Sequence, residues 1–398
     1  MAQRTSTSVG GYNTQPNSAQ PADAYMANQQ ARAVFLGSAI DENLPIAPLT
    51  STGYQPQQIT IPSVGLARFV RLLVHAVVTN TGTNTDTAAS ASSPYSIGAY
   101  VDYRDPAGIQ RIHASFYDLY LRMISLKDAG QDPSYSPETY AYSQYVWANP
   151  VVASSGGTDN EVLFWVDVPF IMHERDTRGM INLEAPGQNS NFQISLNPNM
   201  YGNGDDAPYI ETAGNMTVLN SVSIQPQYYF YSPTYVQNGQ SYALPIPTAD
   251  LQVCHELAQL VASGLTAGNE NQQILPTGRS YYRIWQRLVL NGLQQTGKID
   301  GTLGATTATQ NVIWKYDANN RPQNESLWAY LARTRTQKGR DLPTGVTLHD
   351  LCHKPWNSDH YGQIAPTLNL QSGAVTSGNT YLETFTEALY LLPSAGPQ

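Results

Sequence analysis

Residues 68–80 read Arg-Phe-Val-Arg-Leu-Leu-Val-His-Ala-Val-Val-Thr-Asn. Val70, Leu72, Val74, Ala76 and Val78 take every second place, and Phe69, Arg71, Leu73, His75, Val77 and Thr79 fill the places between. Side chains on a strand point alternately to its two faces, so this spacing predicts a long strand with one wholly apolar face and one mixed face. A dry face needs a second layer to cover it. The stretch therefore predicts a sandwich or barrel rather than a lone sheet.

The same period continues downstream. Val162, Phe164, Val166, Val168 and Phe170 share one side of 161–171, and Phe192, Ile194 and Leu196 mark a further strand. Met216, Val218, Val222 and Ile224 mark another. Polar loops rich in Thr, Asn, Ser and Gly separate them, notably 79–93 and 197–208. Ile112, Phe116, Leu119, Tyr120 and Met123 recur at helical spacing and predict a helix among the strands. Pro226, Pro233, Pro245 and Pro247 make 225–247 a plausible connector, after which the pattern restarts. The spans 251–261 and 281–290 are apolar and fit strand or helix equally. Asn324 is placed to cap a helix running through Leu327, Trp328 and Leu331 into Arg333, Arg335 and Lys338. Residues 380–391 alternate again. Each half thus reads as short strands with one helical insertion, an all-β chain of two tandem sandwiches or barrels. The expected organisation is an N-terminal arm with a short helix at 1–50, a first barrel at 51–240 and a second at 241–398.

Composition narrows the function. Only 13% of the 398 residues are charged, against about 25% in ordinary soluble domains. Tyr contributes 26 residues and the net charge is −9. Interfaces lose Lys and Glu and gain Tyr, so this balance suits a chain covered by copies of itself. Nucleic-acid binding draws on displaced counterions and needs the opposite sign. The opening residues lack the apolar run of a signal peptide. Cytosolic synthesis is expected, with Cys254 and Cys352 reduced.

Four clusters resemble chemistry without completing it. Gly292 to Lys298 follows the spacing of a phosphate-binding loop, but Ile299 stands where Ser or Thr must hold magnesium. His349, Cys352, His353, Asp359 and His360 are metal-ligand types, yet lack the paired short spacing of zinc sites. Arg279, Arg283 and Arg287 interleave with Tyr281, Tyr282 and Trp285 as a base-stacking surface would, or as Arg stems laid over apolar residues. Asp167, Glu174, Asp176, Glu383 and Glu387 supply carboxylates, but a glycosidase needs two of them facing across a cleft. No enzyme, cofactor or metal site is expected.

Read in order, several segments resemble the double jelly-roll major coat proteins of tailless, membrane-containing bacterial viruses, the tectivirus type. They are the helix ending Ala31-Arg-Ala-Val-Phe-Leu36, Ile61-Pro-Ser-Val-Gly65, Tyr103-Arg-Asp-Pro106, Gln110-Arg-Ile-His113 and Trp165-Val-Asp-Val-Pro169. Asp176-Thr-Arg-Gly179, Leu244-Pro-Ile-Pro247, Ala262-Ser-Gly-Leu-Thr266, Trp328-Ala-Tyr-Leu-Ala-Arg-Thr-Arg335 and Leu342-Pro-Thr-Gly345 follow. The resemblance spans most of the chain and departs from the family in residues 1–20 and the loops near 81–93 and 205–215. It implies a capsid protein of a bacteriophage virion: a homotrimer whose six barrels give a nearly hexagonal footprint in an icosahedral shell around an internal membrane. It also implies minor capsid and vertex proteins as partners, with the N-terminal segment facing the membrane surface and no specific contact to nucleic acid.

The membrane- or neighbour-facing residues expected on that segment are Tyr25, Met26, Arg32, Phe35 and Leu36, on a helix predicted over 21–37. Residues 1–37 are expected to act in assembly and to contribute little to folding, against the competing reading that the helix simply packs beneath its own barrel. Two alternatives compete: a secreted or virion-attached glycan-binding or glycan-active β-sandwich, and a trimeric receptor-binding spike.

Overall fold

The computed structural model describes residues 21–392 apart from 52–55, 81–86, 89, 91, 127–145, 149–151, 154–158, 174–175, 185–189, 198–216, 291–292, 295–308, 317–319, 339–341, 344 and 373–379. A helix, α1 (Pro21–Ser38), precedes the strands. The first half holds β1 (Ile40–Pro45), β2 (Gln57–Ile61), β3 (Leu66–Asn80), β4 (Gly98–Arg104) and β5 (Gln110–Ala114). After α2 (Phe116–Ser125) come β6 (Val146–Ala148), β7 (Asp159–Pro169), β8 (Ser190–Leu196) and β9 (Thr217–Ser232). The second half holds β10 (Val253–Ser263), β11 (Glu270–Gln272), β12 (Ser280–Leu290), β13 (Thr309–Tyr316) and β14 (Asn320–Ser326). Then follow α3 (Leu327–Lys338), β15 (Val346–Asp350), β16 (Ile364–Leu370) and β17 (Tyr381–Leu391).

Strand order repeats between the halves. The first pairs β1-β9-β3-β7 in one sheet, with β6 as an extra edge strand, and β2-β8-β4-β5 in the other. The second pairs β10-β17-β12-β15 and β11-β16-β13-β14. With β6 set aside, both halves run first-eighth-third-sixth and second-seventh-fourth-fifth, the two interlocked Greek keys of a jelly roll. Helices α2 and α3 occupy equivalent places, between the fifth and sixth strands.

Barrel one is built as the alternation of β3 and β7 predicts. Val70, Leu72, Val74, Ala76 and Val78 are buried, as are Val162, Phe164, Val166 and Val168. Phe192, Ile194 and Leu196 close the core from the opposite sheet. Three boundaries differ from the sequence reading. Ile112 lies on β5, and α2 starts only at Phe116, where Ser115 and Asp118 form a capping box. Asn324 lies on β14, and Ser326 accepts the Ala329 amide at the start of α3. The connector begins after Ser232, because β9 carries residues 225–232 into the sheet despite Pro226. The Pro226 carbonyl accepts from Ile46, just past the end of β1, so the missing amide faces a side where no strand needs it. β1 itself pairs with β9.

The barrels are fused rather than tethered. β5 and β10 pair in parallel, Ile112 with Leu257 and Ala114's neighbour His113 with Ala258, so the second sheet of barrel one runs on into the first sheet of barrel two. Leu257, Trp285, Val346, Leu348 and Phe385 of the second half belong to the same apolar cluster as the core of the first.

Candidate assembly site

Helix α1 lies against its own chain. Phe35 is fully buried with Leu66, Ile171, Met180, Tyr231 and Leu244, its ring edge-on to Tyr231 at 5.5 Å. Arg32 forks onto Asp250, Nε at 2.8 Å and Nη2 at 2.6 Å, and the Asn28 amide donates to the same carboxylate at 3.1 Å. Thr177 donates to it as well. Burial pushes the Asp250 pKa up, but the hydrogen bonds from Arg32, Thr177 and Asn28 outweigh it and hold it below the ordinary value. Asp250 thus ties the helix, a loop of barrel one and the inter-barrel connector together. Of the five residues expected to face outward, Phe35 and Arg32 turn inward, because the helix finds its apolar partner within the chain. Leu36 is half-buried against the same cluster, Met26 is 54% exposed, and the Tyr25 side chain is outside the described residues.

Between the barrels lies a buried ionic seam. Glu387 of β17 accepts from Arg122 of α2 at 2.7 Å, from Arg283 of β12 at 2.6 Å and from His255 of β10 at 3.0 Å. Burial pushes its pKa up, but Arg122, His255 and Arg283 hold it far below the ordinary carboxylate range. Burial drives the His255 pKa down. Alongside, Arg287 forks onto Glu383 at 3.1 and 2.7 Å. Burial, then the charge of Glu383, raises the pKa of Asp118 well above its ordinary value. Trp285 donates to Ser125 of α2 at 3.0 Å.

These contacts explain the clusters that resembled chemistry. Arg279, Arg283 and Arg287 pair with Glu256, Glu387 and Glu383, so the arginine ladder serves the seam and its neighbouring strands. Asp167 is held by Arg71 and Asp176 by Arg178. Glu174 lies outside the described residues, as does the loop at 295–300 with Gly297 and Lys298. His349 is buried inside barrel two, while His353, Asp359 and His360 are exposed. Burial pushes the Cys352 thiol up to about 12. Among the described residues, no group of three or more His, Cys, Asp and Glu side chains is placed to hold a metal. No described helix is long and apolar enough to cross a membrane. Trp356 and Tyr361 stack at 4.5 Å with Tyr316 edge-on to both, so these rings spend their faces on one another.

Parts of the outward surface are aromatic or uncharged. On the outer face of β3, β7 and β9, Phe69 stacks on Tyr229 at 4.4 Å, and Arg71 packs between Phe69, Trp165 and Tyr229 while forking onto Asp167. Residues 212–249 contain no Asp, Glu, Lys or Arg. Within them the hairpin 234–243 turns at Asn238 and Gly239, both in the left-handed region, and exposes Val236 at 71%. The uncharged run was readable in the sequence. The seam was not, since its partners lie as far apart as Arg122 and Glu387.

No protein-family model matches the chain, and no curated protein matches it. Solved structures do. The crystal structure of the STIV MCP superposes with a TM-score of 0.61 at 14% identity, covering 88% of this chain and 97% of that one. The corresponding chain in the atomic structure of Sulfolobus Turreted Icosahedral Virus gives 0.58 at 15%, covering 88% and 91%. The quasi-atomic model of the PBCV-1 virus capsid gives 0.55 at 12%, covering 89% and 95%. At these identities the likeness establishes the fold. The expected double jelly roll is the architecture of this chain.

Proposed function

We propose that this chain is the major coat protein of an icosahedral virus with an internal membrane, acting as a trimer of nearly hexagonal outline. The observation that carries the reading is the repeated strand order of two jelly rolls fused through one sheet, superposing over nearly the whole length of viral capsid chains. Two barrels per chain let a three-fold oligomer occupy a six-fold lattice position. The outer aromatic sheet face and the uncharged 212–249 run supply contact area without charges to desolvate. The exposed side of α1, with Met26 and Val34 and not Phe35 or Arg32, is the part that meets a neighbouring subunit, a minor capsid or vertex protein or the membrane surface. Synthesis in the host cytoplasm fits two free cysteines.

Size-exclusion chromatography with light scattering on the purified chain, followed by an assembly assay, tests this. A trimer that forms larger particles is expected. A monodisperse monomer at micromolar concentration, with no particles under any assembly condition, overturns it.

A further inference from the structure

The core of barrel two is split. One apolar cluster gathers Leu288, Val312, Leu368, Leu370 and Leu382, and another gathers Leu275, Ile284, Trp314, Ile364 and Ala388. On the inward face of β12, the residue between Ile284 and Leu288 is Gln286, which is fully buried. Gln286 pairs with Thr384 of β17 on one side and Thr347 of β15 on the other. Paired residues of antiparallel strands share a face, so Thr384, Gln286 and Thr347 form a polar row between the two apolar clusters. Two residues along β15, His349 continues the row, its ring 5.1 Å from that of Trp314. All five side chains are buried.

Among the described residues these groups have no hydrogen-bond partner. That holds for both amide atoms of Gln286, the hydroxyls of Thr347 and Thr384, both ring nitrogens of His349 and Nε1 of Trp314. Buried polar atoms are almost always paired, with protein or with ordered water. One orphan is tolerable, but five side chains in a single layer outweigh the small net stability of a domain. A bound water makes about three hydrogen bonds, enough to join groups that do not reach one another. The row carries no ionised side chain, since burial drives the His349 pKa down to about 3. Its chemistry is that of a neutral ligand that both donates and accepts.

We infer that barrel two holds an internal hydration site, a file of bound water molecules seated along Thr384, Gln286 and Thr347 and reaching His349 and Trp314. The inference stands on the barrel interior and does not depend on the coat-protein reading.

A high-resolution diffraction structure of the full chain, with melting curves of Thr384→Val and Thr347→Val, tests it. Compact density is expected roughly 2.7–3.2 Å from at least two of the named atoms. Each variant should melt lower by roughly 2–4 °C, because valine keeps the volume while the water loses a partner. A dry row behaves in the opposite way: removing an orphaned hydroxyl raises the melting temperature. A raised or unchanged melting temperature in both variants overturns the inference, as does a wild-type row without density. Elongated density belongs to a co-purified neutral solute and overturns the assignment to water.

Discussion

Glu387 is buried with Arg122, Arg283 and His255 around it, and that arrangement fixes what its removal does. Glu387→Gln leaves the buried Arg122 guanidinium without its carboxylate and Arg283 with only Asp350 at 3.9 Å, so it should cost about 3–5 kcal/mol. Denaturant melts of the variant against wild type measure this. His255 makes the seam acid-sensitive. Its folded pKa lies below the ordinary 6.5, so between the two values the unfolded chain binds the extra proton and stability rises with pH. Glu387, also depressed, acts in the same direction at lower pH, with stability present above its ordinary 4.5 and lost as pH falls below it. The melting temperature should therefore fall as pH drops below about 6.5, less steeply than His255 and Glu387 alone would make it, because Asp118, whose pKa is raised, works in the opposite direction. His255→Gln, which keeps a donor for Glu387, should flatten the first part of that fall; an unaltered profile would remove His255 from the account. The residue types of the seam were legible, but their pairing was not. The spacing of Arg279, Arg283 and Arg287 fits several surfaces, and only the fold brings Glu256, Glu383 and Glu387 alongside.

Strands with one face inward and one outward were the readable elements: β3, β7 and β8 alternate because their two faces meet different surroundings. β12 did not read as clearly, and the reason is physical. One of its faces lines barrel two and the other faces the seam, so both are buried and the contrast that marks a strand is lost. Helix α1 was legible as a helix, but its inward residues were misjudged. Phe35 was expected to face a membrane or a neighbour, and the pocket that receives it comes from residues up to Leu244. The place of Phe35 favours the competing reading, in which the helix packs beneath its own barrel. Phe35→Ala should cost about 3–5 kcal/mol, measured by thermal or denaturant melting, whereas Met26→Ala should leave stability within about 0.5 kcal/mol. Equal, small effects from both would return the helix to a loosely held arm.

At the scale of the molecule, barrel two is not an appendage. Its strands β10, β12, β15 and β17 place side chains in the core of barrel one, and α2 of barrel one anchors Glu387 of barrel two. The whole described body should therefore unfold in one step, with calorimetric and van't Hoff enthalpies in agreement. Two resolved transitions would show that the fused sheet does not couple the halves. The tandem architecture was legible from strand count and from the restart after residue 247; the fusion was not, because two parallel residue pairs, Ile112 with Leu257 and His113 with Ala258, leave no signature in either segment. That join has a further consequence. It sets the second sheet of barrel one beside the first sheet of barrel two, two unlike partners, so the chain has a head and a tail. A contact that joined the tail of one copy to the head of the next would repeat with a fixed sense of rotation. Such a succession closes into a ring only when the turn per copy divides a full circle, and otherwise winds on as an open helix. The chain is a link with polarity before any second copy arrives.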